Sequence, residues 1–403
     1  MRIRNVLILS VSQAIGLSGV AAVALLGGLI GSDLAPSPAW ATLPNSIVVV
    51  GVALSSVPAA LLMKRIGRRA GFTAAAALAS LAAFLAAIAV AQGNFWLFCA
   101  GTLLIGVNGA FMQQYRFAAT ESVERTYTSR AVSLVLVGGI AAGFLGPELA
   151  QQARDWLPAG LYVGSFTSVG VLYAIAALLL SFLRDVQASD PVQDPVTLED
   201  GETGAERPLR ELVAQPVFVA AMLSAAVAYG VMTLLMTATP IQLHLLQGFS
   251  MQATTLVIQS HIVSMFLPSL FTGLLLERLG VLRVLLAGVL CLLASVVAAL
   301  LSVQLPGYWT SLVLLGIGWN FMFVGGTVLL TRAYRPAERF KAQAANDLIV
   351  FSTQASASLS AGAVLYAADW RVLSLAALLP LVLVLGAVLA LRRQITAPVT
   401  VSV

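Results

Sequence analysis

Two copies of one short motif decide the architecture of this 403-residue chain. The stretch "ALLMKRIGRR" occupies residues 60–69, and "GLLLERLG" occupies residues 273–280, at an offset of 213 residues. A second pair, "IGVN" at 105–108 and "IGWN" at 317–320, repeats at an offset of 212. Two independent matches at nearly the same offset predict that the chain consists of two related halves, a typical arrangement in membrane proteins with internal repeats.

The stretches around these motifs are too apolar for a soluble protein. Hydrophobic residues make up 59% of the chain and charged residues only 10%, whereas an average soluble domain has about 25% charged residues. A transmembrane helix needs roughly 20 apolar residues. Twelve such runs occur, at 5–30, 42–63, 71–92, 95–117, 130–152, 158–183, 213–240, 250–276, 284–304, 307–330, 343–366 and 371–392. Because lipid offers the backbone no hydrogen-bond partner, we expect an all-α polytopic membrane protein with twelve transmembrane helices in two pseudo-symmetric six-helix bundles.

The distribution of positive charge predicts how these helices are oriented. With both termini in the cytoplasm, 20 of the 22 Lys and Arg residues fall on the cytoplasmic side, and only Arg154 and Arg371 fall outside. Loops rich in Lys and Arg remain on the cytoplasmic side of a membrane. We therefore expect a multi-pass protein of the bacterial inner (plasma) membrane with both termini cytoplasmic.

An acidic segment separates the two predicted halves. Residues 184–211 hold eight of the seventeen carboxylates, together with three prolines and two glycines. This composition is typical of a flexible tether. We predict an N-terminal bundle at 1–183, a cytoplasmic acidic linker at 184–212 and a C-terminal bundle at 213–403.

Several classes of function are disfavoured by the composition. The net charge of +5 is dispersed between apolar runs and forms no basic domain, so nucleic-acid binding is not expected. Cys99 and Cys291 lie far apart inside apolar runs, and only His244 and His261 could supply imidazole ligands. We expect no metal site and no cofactor, and a membrane-embedded enzyme is a distant alternative. We expect a monomer in the lipid bilayer.

The chain resembles the major facilitator superfamily over its whole length. The loop signature of that family runs Gly-x-Leu-x-Asp-Arg-x-Gly-Arg-Arg/Lys between the second and third helices. The first motif departs from it at Ala60 and Lys64, and the second copy keeps an acid at Glu277. The matching residues of the first motif are Leu62, Arg65, Gly67, Arg68 and Arg69. Those of the second are Gly273, Leu275, Glu277, Arg278 and Gly280.

The resemblance implies that these motifs are gating loops of a secondary transporter that works by alternating access. In the family, the acid of the loop caps a neighbouring helix and contacts an arginine across the interface between the halves. Lys64 would reverse this contact, because a cation is unfavourable at a helix N-terminus. We therefore expect Glu277 to make this contact across the interface and Lys64 not to make it. The alternative is that the cations of the first loop serve only topology and anionic-lipid contact.

Two further resemblances concern direction and substrate. Gly146-Pro147 in the fifth run is similar to the core of the antiporter signature of the family, but Ser133, Ala142, Ala150 and Gln151 replace its other glycines. Export is therefore not implied. The stretches 318–351 and 113–119 are similar to a branch of bacterial carriers that includes riboflavin uptake carriers.

A carrier needs polar groups that face an aqueous cavity at mid-depth, where each polar side chain is expensive unless it is paired or hydrated. Asn108, Met112 and Tyr115 share one helical face, and Tyr229 and Thr233 lie four residues apart. The alternative for each polar side chain is a purely structural role in a hydrogen bond between helices. We expect this role for about half of the set. The substrate-binding candidates are Gln13, Asn108, Tyr229, Thr233, Gln259, His261, Trp319, Asn320 and Gln354.

The carboxylates limit the mechanism further. None of the nine carboxylates outside the linker lies at the middle of a predicted helix. His261, Glu148 and Asp347 are the candidates for proton coupling, because His titrates near neutral pH and burial can raise the pKa of a carboxyl group. Amides, a Trp and a Tyr favour a small neutral or weakly charged organic solute. We expect proton-coupled uptake of a vitamin-like aromatic nutrient, with a drug or metabolite efflux antiporter as the alternative.

Overall fold

The computed structural model describes residues 3–123, 128–184, 207–301, 304–335 and 338–396. Within these ranges the chain is helical and contains no β-strand. The predicted linker lies mostly outside the described residues, so the predicted domain boundaries remain predictions.

The first half contains seven described helices, six of them long. The short one, α5, follows α4 after a turn at residues 113–114. The helices are α1 (Ile3–Leu34), α2 (Leu43–Ile66), α3 (Arg68–Ala91), α4 (Phe95–Met112), α5 (Tyr115–Glu121), α6 (Thr128–Gln152) and α7 (Val163–Ser181).

The second half contains ten described helices, because several spans are interrupted. The helix α9 continues as one π-helical stretch, Ile241–Leu246. The helices are α8 (Leu209–Val213), α9 (Pro216–Pro240), α10 (Met251–Phe266), α11 (Ser269–Leu279), α12 (Val281–Leu301), α13 (Leu305–Leu330), α14 (Arg339–Ala367), α15 (Trp370–Ala376), α16 (Leu378–Ala390) and α17 (Arg392–Thr396).

The described helices follow the twelve predicted spans closely. Ten are long and apolar enough to cross a membrane, and the pair α10 and α11 would make eleven if it is one bent span. The fifth predicted span coincides with α6. The eighth was predicted as one helix, but its two parts meet at 42°, with Pro268 at the break. Proline removes a backbone donor and so bends a helix.

The two motif copies adopt the same backbone conformation. Gly67 ends α2 and begins α3 with φ 83° and ψ 160°. Gly280 stands between α11 and α12 with φ 80° and ψ 158°. A side chain strains this left-handed region, whereas glycine adopts it freely. The sequence repeat is therefore also a structural repeat, with a two-helix corner in each half.

Helix ends define two faces of the molecule. We name the face with the ends of α1, α2, α3 and α7 at residues 3, 66, 68 and 181 the basic face, and the face with residues 38–40 and 153–155 the opposite face. Toward the opposite face, the halves contact each other through α2 and α14. Ser46 Oγ donates to Ser358 Oγ at 2.8 Å, and the Gly362 backbone N–H donates to Thr42 Oγ1 at 3.2 Å.

Two more contacts join the halves on the same side. The hydroxyl groups of Ser32 on α1 and Tyr366 on α14 lie 3.0 Å apart. Gln259 on α10 donates to Glu148 on α6 at 3.2 Å and to the Phe144 carbonyl at 3.3 Å. These contacts close the interface between the halves toward the opposite face.

Candidate functional site

Aromatic side chains from four helices of the second half meet, three of these helices contributing residues near their middle and α10 contributing its last residue, Phe266. The ring of Tyr229 on α9 lies 5.1 Å from Trp319 and 5.3 Å from Phe323, both edge-on. Trp319 and Phe323 on α13 stack at 5.1 Å with 16° between their planes. Phe266 on α10 lies 6.4 Å from Trp319, and Phe351 on α14 lies 6.3 Å from Tyr229. We name these five residues the aromatic wall.

The helical repeat explains how the aromatic wall forms. Trp319 and Phe323 are four residues apart, so their side chains share one face of α13. Edge-to-face and offset-stacked rings attract each other by about 0.5–1.5 kcal/mol per pair. Tyr229, Phe323 and Phe351 are only partly buried. The wall therefore keeps open aromatic surface on which a flat ring could stack.

The indole of Trp319 adds a directional group to this wall. Its side chain is 5% exposed, and its Nε1 is a buried donor without a hydrogen-bond partner among the described residues. An unpaired buried donor costs roughly 1–3 kcal/mol. A substrate oxygen or a water molecule at this position would remove that cost.

Thr233 and Gln354 extend the aromatic wall along its own helices. Thr233 follows Tyr229 by one turn of α9 and is 5% exposed. Gln354 follows Phe351 by three residues on α14, and its side chain is partly exposed. Residues at these spacings share a helix face. Among the predicted binding residues, Tyr229 and Trp319 are thus in contact, and Thr233 and Gln354 lie about one turn from the aromatic wall on the same helices.

Gln13 lies on α1, in the first half, where two glycines of α6 allow close packing. A Cβ at Gly138 would stand 3.2 Å from Gln13 Cβ, and one at Gly139 would stand 2.9 Å from the ring of Phe266. Gln13 and the aromatic wall therefore border the same segment of α6. Gln13 Oε1 is buried and has no partner in the described part of the chain, which makes it a candidate acceptor for a substrate N–H or O–H.

Asn108 lies on α4 and packs toward α1. Its Nδ2 donates to Met112 Sδ at 3.4 Å, and its Oδ1 has no partner among the described residues. Met112 lies directly over Gly16 on α1. The predicted face of Asn108, Met112 and Tyr115 is interrupted, because the turn after Met112 directs Tyr115 into the core, where its ring contacts Phe72 at 4.7 Å.

Two predicted binding residues make contacts inside the second half. His261 is fully buried between α10 and α13, and its Nδ1 lies 2.8 Å from the Leu312 carbonyl oxygen. Asn320 Nδ2 donates to the Met265 carbonyl at 2.8 Å and to Ser269 Oγ at 2.6 Å. The structure places both residues at helix contacts, and Asn320 joins α13 to the bend between α10 and α11.

Gln259 and Glu148 meet at the interface between the halves. Glu148 is exposed, and it accepts hydrogen bonds from Gln152 at 2.6 Å and from Gln259 at 3.2 Å. Both residues lie closer to the opposite face than the aromatic wall does. Their place favours a role in holding the halves together on that side.

Asp347 and Arg116 lie toward the basic face. Asp347 on α14 is exposed, and it accepts a hydrogen bond from Asn346 at 3.1 Å. Arg116 on α5 lies within electrostatic range of both Asp347 and Tyr229. The two halves thus present opposite charges to each other near the aromatic wall.

Several of these residues are absent from the candidates predicted from the sequence. Phe266, Phe323 and Phe351 were not among the predicted binding residues, although an aromatic residue four positions from Trp319 was a usable signal. Arg116 was not among the predicted site residues either. The turn at residues 113–114, which redirects Arg116, has no proline or glycine to mark it.

The residues of the two repeated loop motifs, predicted to act in gating, lie on the basic face. Arg65 and Arg69 are exposed, and Arg68 donates to the Gln114 carbonyl at 3.4 Å. The Lys64 side chain lies outside the described part of the structure. In the second copy, Gly273, Glu277 and Arg278 are exposed. The contact predicted for Glu277 thus stays a prediction.

Comparison with known proteins establishes the family. The family model described as Major Facilitator Superfamily matches residues 6–352. The riboflavin transporter RfnT of Brucella anthropi is 39% identical over 371 residues, which cover 92% of this chain and 91% of that protein. An uncharacterized MFS-type transporter of Bacillus subtilis, YdeG, is 29% identical over 92% of this chain and 88% of its own. This chain belongs to the major facilitator superfamily.

Solved structures agree with the fold. The crystal structure of a bacterial homolog of the human lysosomal transporter Spinster, in an inward-facing and unoccupied conformation, matches with a TM-score of 0.76 at 16% identity and covers 98% of this chain and 97% of that one. The nucleoside transporter NupG matches with a TM-score of 0.69 at 14% identity and covers 95% and 99%. These structures agree with the fold, and membership of the family makes the chain a multi-pass membrane transporter, as predicted, and not an enzyme.

Proposed function

We propose that this transporter moves riboflavin, or a closely similar flat heteroaromatic solute, by alternating access between the two halves. The observation that carries the proposal is the aromatic wall with the unpaired indole N–H of Trp319. A fused heteroaromatic ring offers a flat face for stacking and carbonyl oxygens for the indole donor. The identity with RfnT supports the same substrate class.

The first half supplies the complementary polar groups. Gln13 Oε1 and Asn108 Oδ1 are buried acceptors without partners among the described residues. Ring N–H groups and the hydroxyl groups of a polyol chain would satisfy them. A site that hydrogen-bonds its substrate rejects analogues that lack those groups, because its buried polar atoms then stay unpaired. This arrangement favours a nutrient carrier over a carrier of purely hydrophobic drugs.

The proposed direction is uptake across the plasma membrane, with the basic face and both termini in the cytoplasm. The distribution of Lys and Arg supports this orientation. The contacts of Thr42, Ser46, Ser358 and Gly362 join the halves toward the opposite face, which supports an inward-facing state in this proposal. The driving force in this proposal is proton entry, with Asp347 as the leading proton carrier, because protonation of this carboxylate would remove its attraction to Arg116 of the other half.

The test is uptake and counterflow in proteoliposomes with purified full-length protein. Labelled riboflavin is compared with a panel of other vitamins, aromatic acids, sugars, nucleosides and hydrophobic drugs. We expect saturable riboflavin counterflow. The absence of binding and counterflow for riboflavin, with transport of another member of the panel, would reject the proposed substrate and leave the family assignment unchanged.

Two matched variants test the aromatic wall itself. Trp319→Phe keeps a ring but removes the N–H, and loss of one hydrogen bond of about 1 kcal/mol should raise KM roughly fivefold. Trp309→Phe is the control on the same helix, because Trp309 is 42% exposed and donates to Ser260 Oγ. Equal KM values for the two variants would exclude Trp319 as a binding residue.

A further inference from the structure

A cavity lies on the basic face, between the ends of α1, α3, α5 and α7. Its volume is about 320 Å³, and its described lining contains three arginines and no carboxylate. The cations are Arg68, Arg69 and Arg184. Leu9 and Phe72 line its apolar floor. The cavity is formed by first-half helices alone and is separate from the aromatic wall, so the proposed solute site does not account for it.

Hydrogen bonds fix the rim of this cavity. Asn5 is 1% exposed, and its Nδ2 donates to the Arg184 carbonyl at 3.1 Å. The Arg184 backbone N–H donates to Asn5 Oδ1 at 3.2 Å. Asn5 Nδ2 also lies 3.4 Å from Ser122 Oγ. The positions of Arg184 and the end of α5 are thus set before any ligand arrives, which lowers the entropic cost of binding.

A shallow groove with an alanine-rich lining continues from the mouth of this cavity along α3. The groove has a volume of about 480 Å³ and shares Ile66 and Arg69 with the cavity. Its remaining lining consists of small side chains: Ala70, Thr73, Ala74, Ala77 and Ser181. The alanines recur at helical spacing and are exposed, so they form a shallow channel about two turns long on the outer surface of α3.

We propose that the cavity and the groove together bind one anionic phospholipid. The phosphodiester lies among Arg69, Arg184 and Arg68, and one acyl chain lies along the alanines of α3. Guanidinium groups bind phosphate oxygens through paired hydrogen bonds, which an ammonium cannot do as well. Basic pockets between transmembrane helices on the cytoplasmic side are suited to acidic headgroups.

The groove beside the cavity favours a lipid over a free anion as the ligand. Inorganic phosphate or a soluble phosphate ester would use only the arginines and would leave the alanine channel empty. A phospholipid uses both parts, because its headgroup and its acyl chain are joined where the cavity and the groove share Ile66 and Arg69. The ligand of this site is therefore a phospholipid, whichever solute the carrier moves.

The test measures lipid binding to the delipidated full-length protein by native mass spectrometry and by titration in detergent. The probes are phosphatidylglycerol, phosphatidylcholine of the same acyl composition, and inorganic phosphate. The headgroup variant is the double substitution Arg69→Gln and Arg184→Gln. The groove variant is Ala74→Trp. The control is Arg278→Gln with Arg283→Gln, which removes the same charge from exposed positions on the basic face of the second half.

We expect wild-type protein to bind one phosphatidylglycerol at least about tenfold more tightly than phosphatidylcholine. The headgroup variant should lose that preference, the groove variant should weaken binding of both lipids, and the control should behave as wild type. Equal binding of the two lipids by wild type, or equal loss in the headgroup variant and the control, would overturn the proposal.

Two further measurements distinguish a lipid from a free anion in the cavity, and loss of lipid binding from loss of folding. Complete displacement of phosphatidylglycerol by millimolar inorganic phosphate, together with unchanged lipid binding by Ala74→Trp, would assign the cavity to a free anion and reject the lipid. Thermal unfolding in phosphatidylcholine reports folding, and the headgroup variant should unfold there at the same temperature as the control. If it does not fold, the single Arg69→Gln variant, at an exposed position, replaces it and carries the same expectation.

Discussion

Arg207 and Glu338 form an ion pair that fixes the end of the linker to the second half. Arg207 Nε lies 2.8 Å from Glu338 Oε1, and its terminal nitrogen lies 2.6 Å from Oε2. The Glu338 side chain is fully buried, and the backbone N–H groups of Arg207 and Arg335 also donate to it, at 3.0 and 2.9 Å. Lys341 Nζ donates to the Arg207 carbonyl at 2.9 Å. The chain therefore enters the second half at a fixed point.

The pair predicts a pH dependence of stability. The hydrogen bond from Arg207 holds the pKa of Glu338 at about 2, below its usual value of 4.5. A depressed folded-state pKa stabilises the protein above the unfolded pKa, and this stability is lost as the pH falls from about 4.5 toward 2. Glu338→Gln should lower the unfolding temperature at pH 7 by roughly 3 °C, for a loss of about 1 kcal/mol. The difference between variant and wild type should shrink at pH 3.

Glu211→Gln is the matched control for this prediction. Glu211 lies on α8 near the same pair but is exposed. Its removal should change the unfolding temperature little, because exposed charges contribute weakly. Scanning calorimetry or dye-monitored unfolding in one detergent measures both variants. A pH-independent difference between Glu338→Gln and wild type would show that the charge of Glu338 is not the stabilising feature.

Most of the fold could be predicted from the sequence because lipid imposes a simple rule. Long apolar runs must be helices, and the repeated motifs indicated the two related halves. The interruptions were harder to predict. Pro268 was visible in the sequence, but proline also occurs inside α2 at Pro58 and inside α6 at Pro147, where the helices continue. Tertiary packing decides which proline breaks a span.

The candidate site could be predicted only in part, because helical spacing gives a face but not the neighbour of that face. Tyr229 and Trp319 were predicted from residue type, and the structure brings them together at 5.1 Å. His261 has the same polar character, but it faces the Leu312 carbonyl inside the second half. The rotation of α10 against α13 distinguishes these cases, and one sequence does not contain it.

The difference between the two copies of the repeated loop motif predicts an asymmetric response of transport to neutralisation of Glu277 and of Lys64. Glu277 keeps the acid of the family motif, whereas Lys64 replaces it in the first half. Glu277→Gln should therefore reduce the transport rate several-fold, and Lys64→Gln should have a much smaller effect. Initial rates of counterflow in proteoliposomes, normalised to reconstituted protein, measure both. Equal effects of the two substitutions would contradict the asymmetry.

The close packing of Gly362 against Thr42 leads to a prediction about how the opposite face closes. A Cβ on Gly362 would stand 2.7 Å from Thr42 Oγ1, so Gly362→Leu should hold α2 and α14 apart. We expect faster labelling of Ser46→Cys by a membrane-impermeant maleimide, in a background with Cys99→Ser and Cys291→Ser. Gly386→Leu is the control, because nothing lies within 4 Å of a Cβ at Gly386. Identical labelling rates would mean that this contact does not close the face.

The position of Asp347 near Arg116 leads to a prediction about how transport responds to a proton gradient. It is exposed on α14 and lies within electrostatic range of Arg116, so protonation would change the attraction between the halves near the aromatic wall. Asp347→Asn should abolish stimulation of uptake by an inward proton gradient, while counterflow, which needs no net proton movement, continues. Asp155→Asn removes an exposed carboxylate at the opposite face and should keep the stimulation. If Asp347→Asn, Glu148→Gln and His261→Ala all retain full stimulation, proton coupling through these groups is excluded.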